Sequence, residues 1–167
     1  RRIIKKPHGN IVLFGSQPFT SKLVNSAKDI FRHSLVWEKN KPTGFQHASA
    51  KPLKRHEDIL VFSYGVNISE KRTKRRATYN PQGVVQVTKK AQGVSKVTFL
   101  SKAVRGHAAG ADYVSLTNCP DDIIRIGKDK RVKGQETHPF AKPVALLEYL
   151  IRTYSNAGEV VLDNTMG

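Results

Sequence analysis

An α/β fold is predicted by three features of the sequence. A wholly apolar four-residue run near the start is followed by a helical pattern. Further short apolar runs are separated by glycine and proline, and a second helical pattern near the C-terminus leads into another apolar run. Ile11-Val12-Leu13-Phe14 ends at Gly15-Ser16 and reads as a strand covered on both faces, as in a parallel sheet. Over residues 19–31, Phe19, Leu23, Ala27, Ile30 and Phe31 fall on one helical face. Residues 34–39 (SLVWEK) give a second strand, and residues 58–64 (DILVFSY) a third. Between them, residues 40–53 are polar and punctuated by Pro42, Gly44 and Pro52, which predicts a loop. Residues 142–155 carry the clearest helical spacing, with Val144, Leu147, Leu150, Ile151 and Tyr154 on one stripe and Pro143 at the entrance. Asn156-Ala157-Gly158 stops that helix, and residues 159–163 (EVVLD) read as a strand ending in an acid.

Residues 70–135 differ in kind. They combine basic clusters, several glycines and short β-branched runs such as Val84-Val85-Gln86-Val87-Thr88, which predicts a small basic insert of mostly β or irregular structure. Domain organisation follows from this contrast. Residues 1–69 form the first part of one domain, 70–135 its insert, and 136–167 the beginning of its second half.

Charge is the strongest compositional signal. Lys and Arg number 29 against 13 Asp and Glu, a net charge of +16. Residues 71–134 hold 15 basic and 4 acidic side chains, whereas residues 135–167 are slightly acidic. Such an excess attracts polyanions, since each phosphate neutralised releases condensed counterions. Lys71, Arg72, Lys74, Arg75, Arg76, Lys89, Lys90 and Arg105 are the expected phosphate contacts, and double-stranded DNA the expected partner. Base readout would draw on Arg105, Gln92 and Asn118. The basic segment shows no amphipathic helical stripe, so a membrane surface is not the expected partner. A basic RNA-associated protein is a weaker alternative, because no aromatic RNA-stacking signature is evident. No run approaches the roughly 18 apolar residues of a membrane span. The single cysteine, Cys119, cannot form an internal disulfide, which fits an intracellular, cytoplasmic setting. No zinc-ligand spacing, nucleophile elbow or paired-carboxylate signature occurs, so no metal is expected.

Seven segments in order then carry a family resemblance: Gly9-Asn10-Ile11-Val12-Leu13-Phe14-Gly15-Ser16-Gln17-Pro18-Phe19; Trp37-Glu38-Lys39; Arg55-His56-Glu57-Asp58-Ile59-Leu60-Val61-Phe62; Thr78-Tyr79-Asn80-Pro81-Gln82; Cys119-Pro120-Asp121-Asp122-Ile123-Ile124; His138-Pro139-Phe140-Ala141-Lys142-Pro143-Val144-Ala145-Leu146-Leu147-Glu148; and Val161-Leu162-Asp163-Asn164-Thr165-Met166-Gly167. In this order they resemble the site-specific DNA amino-methyltransferases whose catalytic half precedes their cofactor half. The similarity covers most of the chain outside residues 83–118. It implies a Rossmann-like methyltransferase sheet, incomplete in these 167 residues. The family's Asp/Asn-Pro-Pro-Tyr/Phe tetrapeptide is expected upstream of Arg1, so no catalytic residue is assigned within the sequence. The glycine-rich cofactor loop is expected to continue past Gly167. Where the family usually has Thr and Gln, this chain has Phe140 and Ala141.

The resemblance implies transfer of a methyl group from S-adenosylmethionine to an exocyclic amine of a flipped base. Adenine N6 is the expected target, because the Gly-Asn-Ile-Val-Leu-Phe-Gly-Ser and Trp-Glu-Lys segments look most like adenine enzymes, with cytosine N4 as the alternative target. A truncated, inactive DNA-binding remnant is the alternative. The resemblance also places a prokaryotic or phage source, a dimer and a companion restriction endonuclease among the expectations. Asp163, Asn164 and Gly167, after an apolar run, suit the cofactor's nucleotide portion. His138, Pro139, Phe140 and Lys142, at a helix entrance, suit its carboxylate. The bland readings are that Asp163 caps a turn and Lys142 is solvated. Trp37 and Lys39 fall where the target base is expected, although Trp37 suits the core equally well. His56 and Glu57 suit a structural or positioning role, because an oriented exocyclic amine attacks a sulfonium without a general base.

Overall fold

The computed structural model describes residue 4 and residues 6–66, 75–90, 112–127 and 141–163. Two compact units are present, Pro81–Pro120 on the one hand and the rest of the chain on the other. In the larger unit, β1 (Asn10–Gly15), β2 (Phe31–Thr43), β3 (Lys54–Ser63) and the short β6 (Ile123–Arg125) form a four-stranded sheet in the order β1-β3-β2-β6. Helices α1 (Phe19–Ser26) and α2 (Val144–Tyr154) complete a mixed α/β arrangement.

The hydrophobic alternation of the strands sorts the two faces of this sheet. Leu35 and Trp37 of β2, with Ile59 and Val61 of β3, join Leu146, Leu150 and Tyr154 of α2 in one buried cluster. On the opposite face, Leu60 and Phe62 pack with Ile30 and with Leu23 and Val24 of α1. One helix therefore covers each face. Leu146 is fully buried, and a side chain so placed contributes roughly 1.5–3 kcal/mol by leaving water.

Several elements differ from their predicted form. β1 was expected in a parallel sheet, yet it pairs antiparallel with β3, with Val12 opposite Val61. β2 and β3 are also antiparallel, and among the described strands only β2 and β6 run parallel. β1 is not fully covered either, since Leu13 is substantially exposed. Helix α1 stops at Ser26 rather than near residue 31, because Ala27 leaves the helical region at φ −147° and Phe31 opens β2. β2 then runs through residues 40–43, expected as loop, by way of a register shift between Glu38 and Thr43. On α2 the buried face is Leu146, Leu150, Thr153 and Tyr154, while Val144, Leu147 and Ile151 are exposed. The predicted stripe is thus rotated: the helix is apolar around much of its circumference, and periodicity alone cannot say which side meets the sheet. Residues 159–163, expected as a strand, pair with none of the described strands, and Val160, Val161 and Leu162 are exposed. A strand needs a neighbouring strand, and no described strand runs beside these residues.

The end of α2 is tied down by two asparagines. Its terminal carbonyls have no partner within the helix. Asn10 Nδ2 donates to Tyr154 O at 2.8 Å and to Thr78 O at 2.9 Å, while Asn80 Nδ2 donates to Ser155 O at 2.9 Å. The segment before Asn80 passes close beneath Gly65. A Cβ there would meet Pro7 O at 2.6 Å and the Ala77 backbone at 2.7 Å, so the position has no room for a side chain. Gly65→Ala is expected to destabilise the fold by about 1–3 kcal/mol through overpacking. A urea titration that finds the variant as stable as the parent would overturn this.

The second unit contains β4 (Val85–Lys90) and β5 (Asp112–Thr117), an antiparallel pair with Val87 opposite Ser115. Asn118 at its base is left-handed, with φ 54°, and donates to Gly83 O at 2.7 Å. The compact unit is narrower than the 70–135 insert drawn from composition. Residues 75–80 and 121–127 pack with the larger unit, β6 and Ile126 among them.

Candidate active site

The register of β2 against β3 sets Trp37 opposite Glu57, and alternation brings Lys39 to the same face. Phe14 of β1 lies on that face too, since it pairs with Ile59. Trp37 is 1% exposed, its indole N–H donates to Ile126 O at 2.8 Å, and the Phe14 ring meets it edge-on at 6.4 Å between centroids. The tryptophan is therefore a core residue in this structure.

Polar groups gather beside the two rings. Glu57 accepts from the Lys142 ammonium at 2.7 Å through Oε2 and pairs with Lys39 at 2.5 Å through Oε1. Lys39 is buried, and Lys142 and Glu57 are partly so. Lys142 Nζ also lies 5.0 Å from the Phe14 ring centroid and 5.7 Å from that of Trp37, and Lys39 Nζ lies 5.4 Å from Trp37. These are cation–π distances. Burial pushes the Glu57 carboxyl up, but the two ammonium groups outweigh it and hold the group below its ordinary range. Glu57 is thus a charged hub joining β2, β3 and the entrance of α2.

This hub was only half visible in the sequence. Trp37, Lys39 and Lys142 were singled out one by one, and Glu57 was read as structural. What the fold adds is their convergence, with Lys142 engaged by Glu57 rather than solvated. Close by, Thr20 donates to Asp58 Oδ2 at 2.8 Å and ties the start of α1 to β3. His33 is half-buried in β2 and shares a 2.8 Å hydrogen bond with the Tyr154 hydroxyl. Burial lowers the His33 pKa, and burial, with Tyr79 and Tyr149 adding to it, raises that of Tyr154. Both groups are accordingly neutral near pH 7.

The remaining sequence-predicted residues fall in different places. Asp163 is exposed beyond α2. His138, Pro139, Phe140, Asn164 and Gly167, with Lys71, Arg72, Lys74, Gln92 and Arg105, lie outside the described residues. Arg75 and Arg76 are exposed, and the Arg76 carbonyl accepts from the His8 ring at 2.8 Å. Lys89 and Lys90 are exposed at the end of β4, in the second unit. Cys119 is exposed, and among the described residues no group of three His, Cys, Asp or Glu side chains is placed to hold a metal ion. No helix among them is long and apolar enough to cross a membrane.

Comparison with known proteins supplies the family. No match was found among curated proteins. The family model described as DNA methylase, covering N6 and N4 amino-methyltransferases, matches residues 1–167. The chain belongs to this family of DNA methyltransferases, enzymes that methylate an amino nitrogen of a DNA base and generally take the methyl group from S-adenosylmethionine.

Proposed function

We propose that this chain is part of an adenine-N6 methyltransferase acting on a base turned out of the duplex, with S-adenosylmethionine held between Asp163 and the entrance of α2. The observation that carries this reading is the placement of Lys142, directly before α2, against Phe14 near the carboxyl end of β1. In α/β folds that edge of a sheet is where nucleotide-like ligands collect. The first turn of α2 holds no acid. A helix start without acidic side chains suits a ligand carboxylate electrostatically. The exposed Asp163 carboxylate suits hydroxyl donors. The described residues thus fit the cofactor.

When bound, the cofactor supplies an electrophilic methyl on a sulfonium, which leaves as a thioether. The chain's own part is to bind and orient. Glu57 holds Lys142 and so fixes the mouth of α2, while Trp37 and Phe14 form an apolar wall that keeps water from its base. Basic side chains of the 70–135 segment, Lys89 and Lys90 among them, serve as phosphate contacts. Proximity and alignment account for most of the acceleration, since the amine attacks directly and its proton departs afterwards. The adenine preference rests on the Trp37-Glu38-Lys39 and Gly9–Ser16 segments, and the sheet is read as part of a Rossmann-like one.

Labelled methyl transfer to plasmid DNA and calorimetry with S-adenosylmethionine test the reading. Asp163→Ala is expected to weaken cofactor binding about tenfold or more, the worth of a charge-assisted hydrogen bond, and to leave DNA retention nearly unchanged. Undiminished cofactor binding by the variant would remove Asp163 from the site. Calorimetric silence from the unaltered protein, with DNA still retained, would leave a non-catalytic DNA-binding remnant.

A further inference from the structure

The turn between β2 and β3 is an arm of one charge sign. From residue 39 to residue 56 the sequence holds Lys39, Lys41, Lys51, Lys54 and Arg55 and no acidic residue. Lys39 is committed to Glu57 at the base. Lys41, Lys51, Lys54 and Arg55 are exposed. Arg55 reaches Glu38 at only 4.0 Å, and among the described residues no carboxylate lies within ion-pair distance of Lys41, Lys51 or Lys54. The arm is also ordered by its own backbone. Thr43 pairs with Lys54 beyond a register shift, and a short 3-10 turn at Phe45–His47 follows Gly44, whose φ of +92° suits glycine. Phe45 stands 65% exposed at that turn, among the lysines.

A solvated hairpin normally mixes both signs. One that keeps its lysines without acidic neighbours and presents an aromatic ring at its tip has the chemistry of a nucleic-acid contact: cations for phosphates and an apolar face for a base or sugar. The arm's base also lies at the Glu57 hub, so it grows from the same end of the sheet as the entrance of α2. We infer that residues 40–54 are a duplex-DNA-binding arm, separate from the basic 70–135 segment, with Lys41, Lys51 and Lys54 on backbone phosphates. This rests on the reading of DNA as the substrate.

The experiment compares the full protein with a Lys41→Gln/Lys51→Gln/Lys54→Gln variant. A labelled DNA duplex is titrated at several salt concentrations, alongside calorimetry with S-adenosylmethionine. The slope of log affinity against log salt is expected to become shallower by roughly two to three, about 0.9 for each phosphate no longer neutralised. Affinity near physiological salt should fall at least about tenfold, with cofactor binding unchanged. Lys41→Gln alone should shift the slope by about one, which keeps the test valid should the triple variant melt early. An unchanged slope in both variants overturns the arm, as does loss of single-stranded RNA binding with duplex binding intact. Failure of the unaltered protein to bind duplex at all would instead defeat the functional reading beneath it.

Discussion

Trp37→Ala is expected to lower the stability of the fold by about 3–5 kcal/mol, the usual cost of removing a large buried aromatic side chain. Three effects combine. The ring is 1% exposed and sits in the cluster that joins β2 and β3 to α2. Its edge-on packing with Phe14 goes, and so does the 2.8 Å hydrogen bond to the Ile126 carbonyl. It is the only tryptophan, so its fluorescence reports unfolding of the parent, while circular dichroism in urea must follow the variant. Trp37→Phe is the gentler probe. It keeps a ring but withdraws the donor, at about 1 kcal/mol for the hydrogen bond. The two readings of this residue diverge here. A core role predicts that the phenylalanine variant, once folded, transfers methyl groups at close to the parent rate. Stacking on the target base predicts a folded but much slower enzyme. An alanine variant unfolding at the parent's urea midpoint would end the core assignment.

How far the sequence could be read follows from which forces are local. The apolar runs at residues 11–14 and 58–64 became β1 and β3 because short β-rich runs bounded by turn residues have few other ways to bury themselves. Strand direction was not legible. A run buried on one face and partly on the other looks the same in parallel and antiparallel sheets, and β1 proved antiparallel. The rotated face of α2 has the same origin, because Val144, Leu147 and Ile151 compete on equal apolar terms with Leu146 and Leu150. At the site, Lys39 and Lys142 were visible as lone cations near motif segments. Their common partner was not, because the Lys142–Glu57 pairing spans 85 residues and no local rule reports it. The pairing of His33 with Tyr154 went unseen for the same reason, at a separation of 121 residues.

The Glu57 hub gives the second large effect. Glu57→Ala leaves two ammonium groups facing each other, one of them on a side chain only 7% exposed. Breaking a buried ion pair on one side costs about 3–5 kcal/mol, because the surviving charge stays desolvated. The lower end applies here, since Lys142 retains partial access to water. Replacing both partners, as in Lys39→Met/Glu57→Leu, should recover most of that stability, because the buried cation goes with its carboxylate. A double-mutant cycle then reads the coupling directly. The same hub carries a pH signature. Lys142 and Lys39 hold the carboxyl below its ordinary range against the opposing effect of burial. A carboxyl whose folded pKa is lower than its unfolded pKa adds stability at higher pH. That contribution is complete above the unfolded pKa of about 4.3 and is lost as the pH falls through the folded one. Urea titrations from pH 7 down to about pH 3 should therefore show the parent losing stability below the ordinary carboxylate range. Glu57→Gln should lack that share of the decline, starting lower at neutral pH and converging on the parent in acid. Curves that stay parallel across the whole range would mean that Glu57 carries no net charge coupling to Lys39 and Lys142, and that the entrance of α2 is held by packing alone.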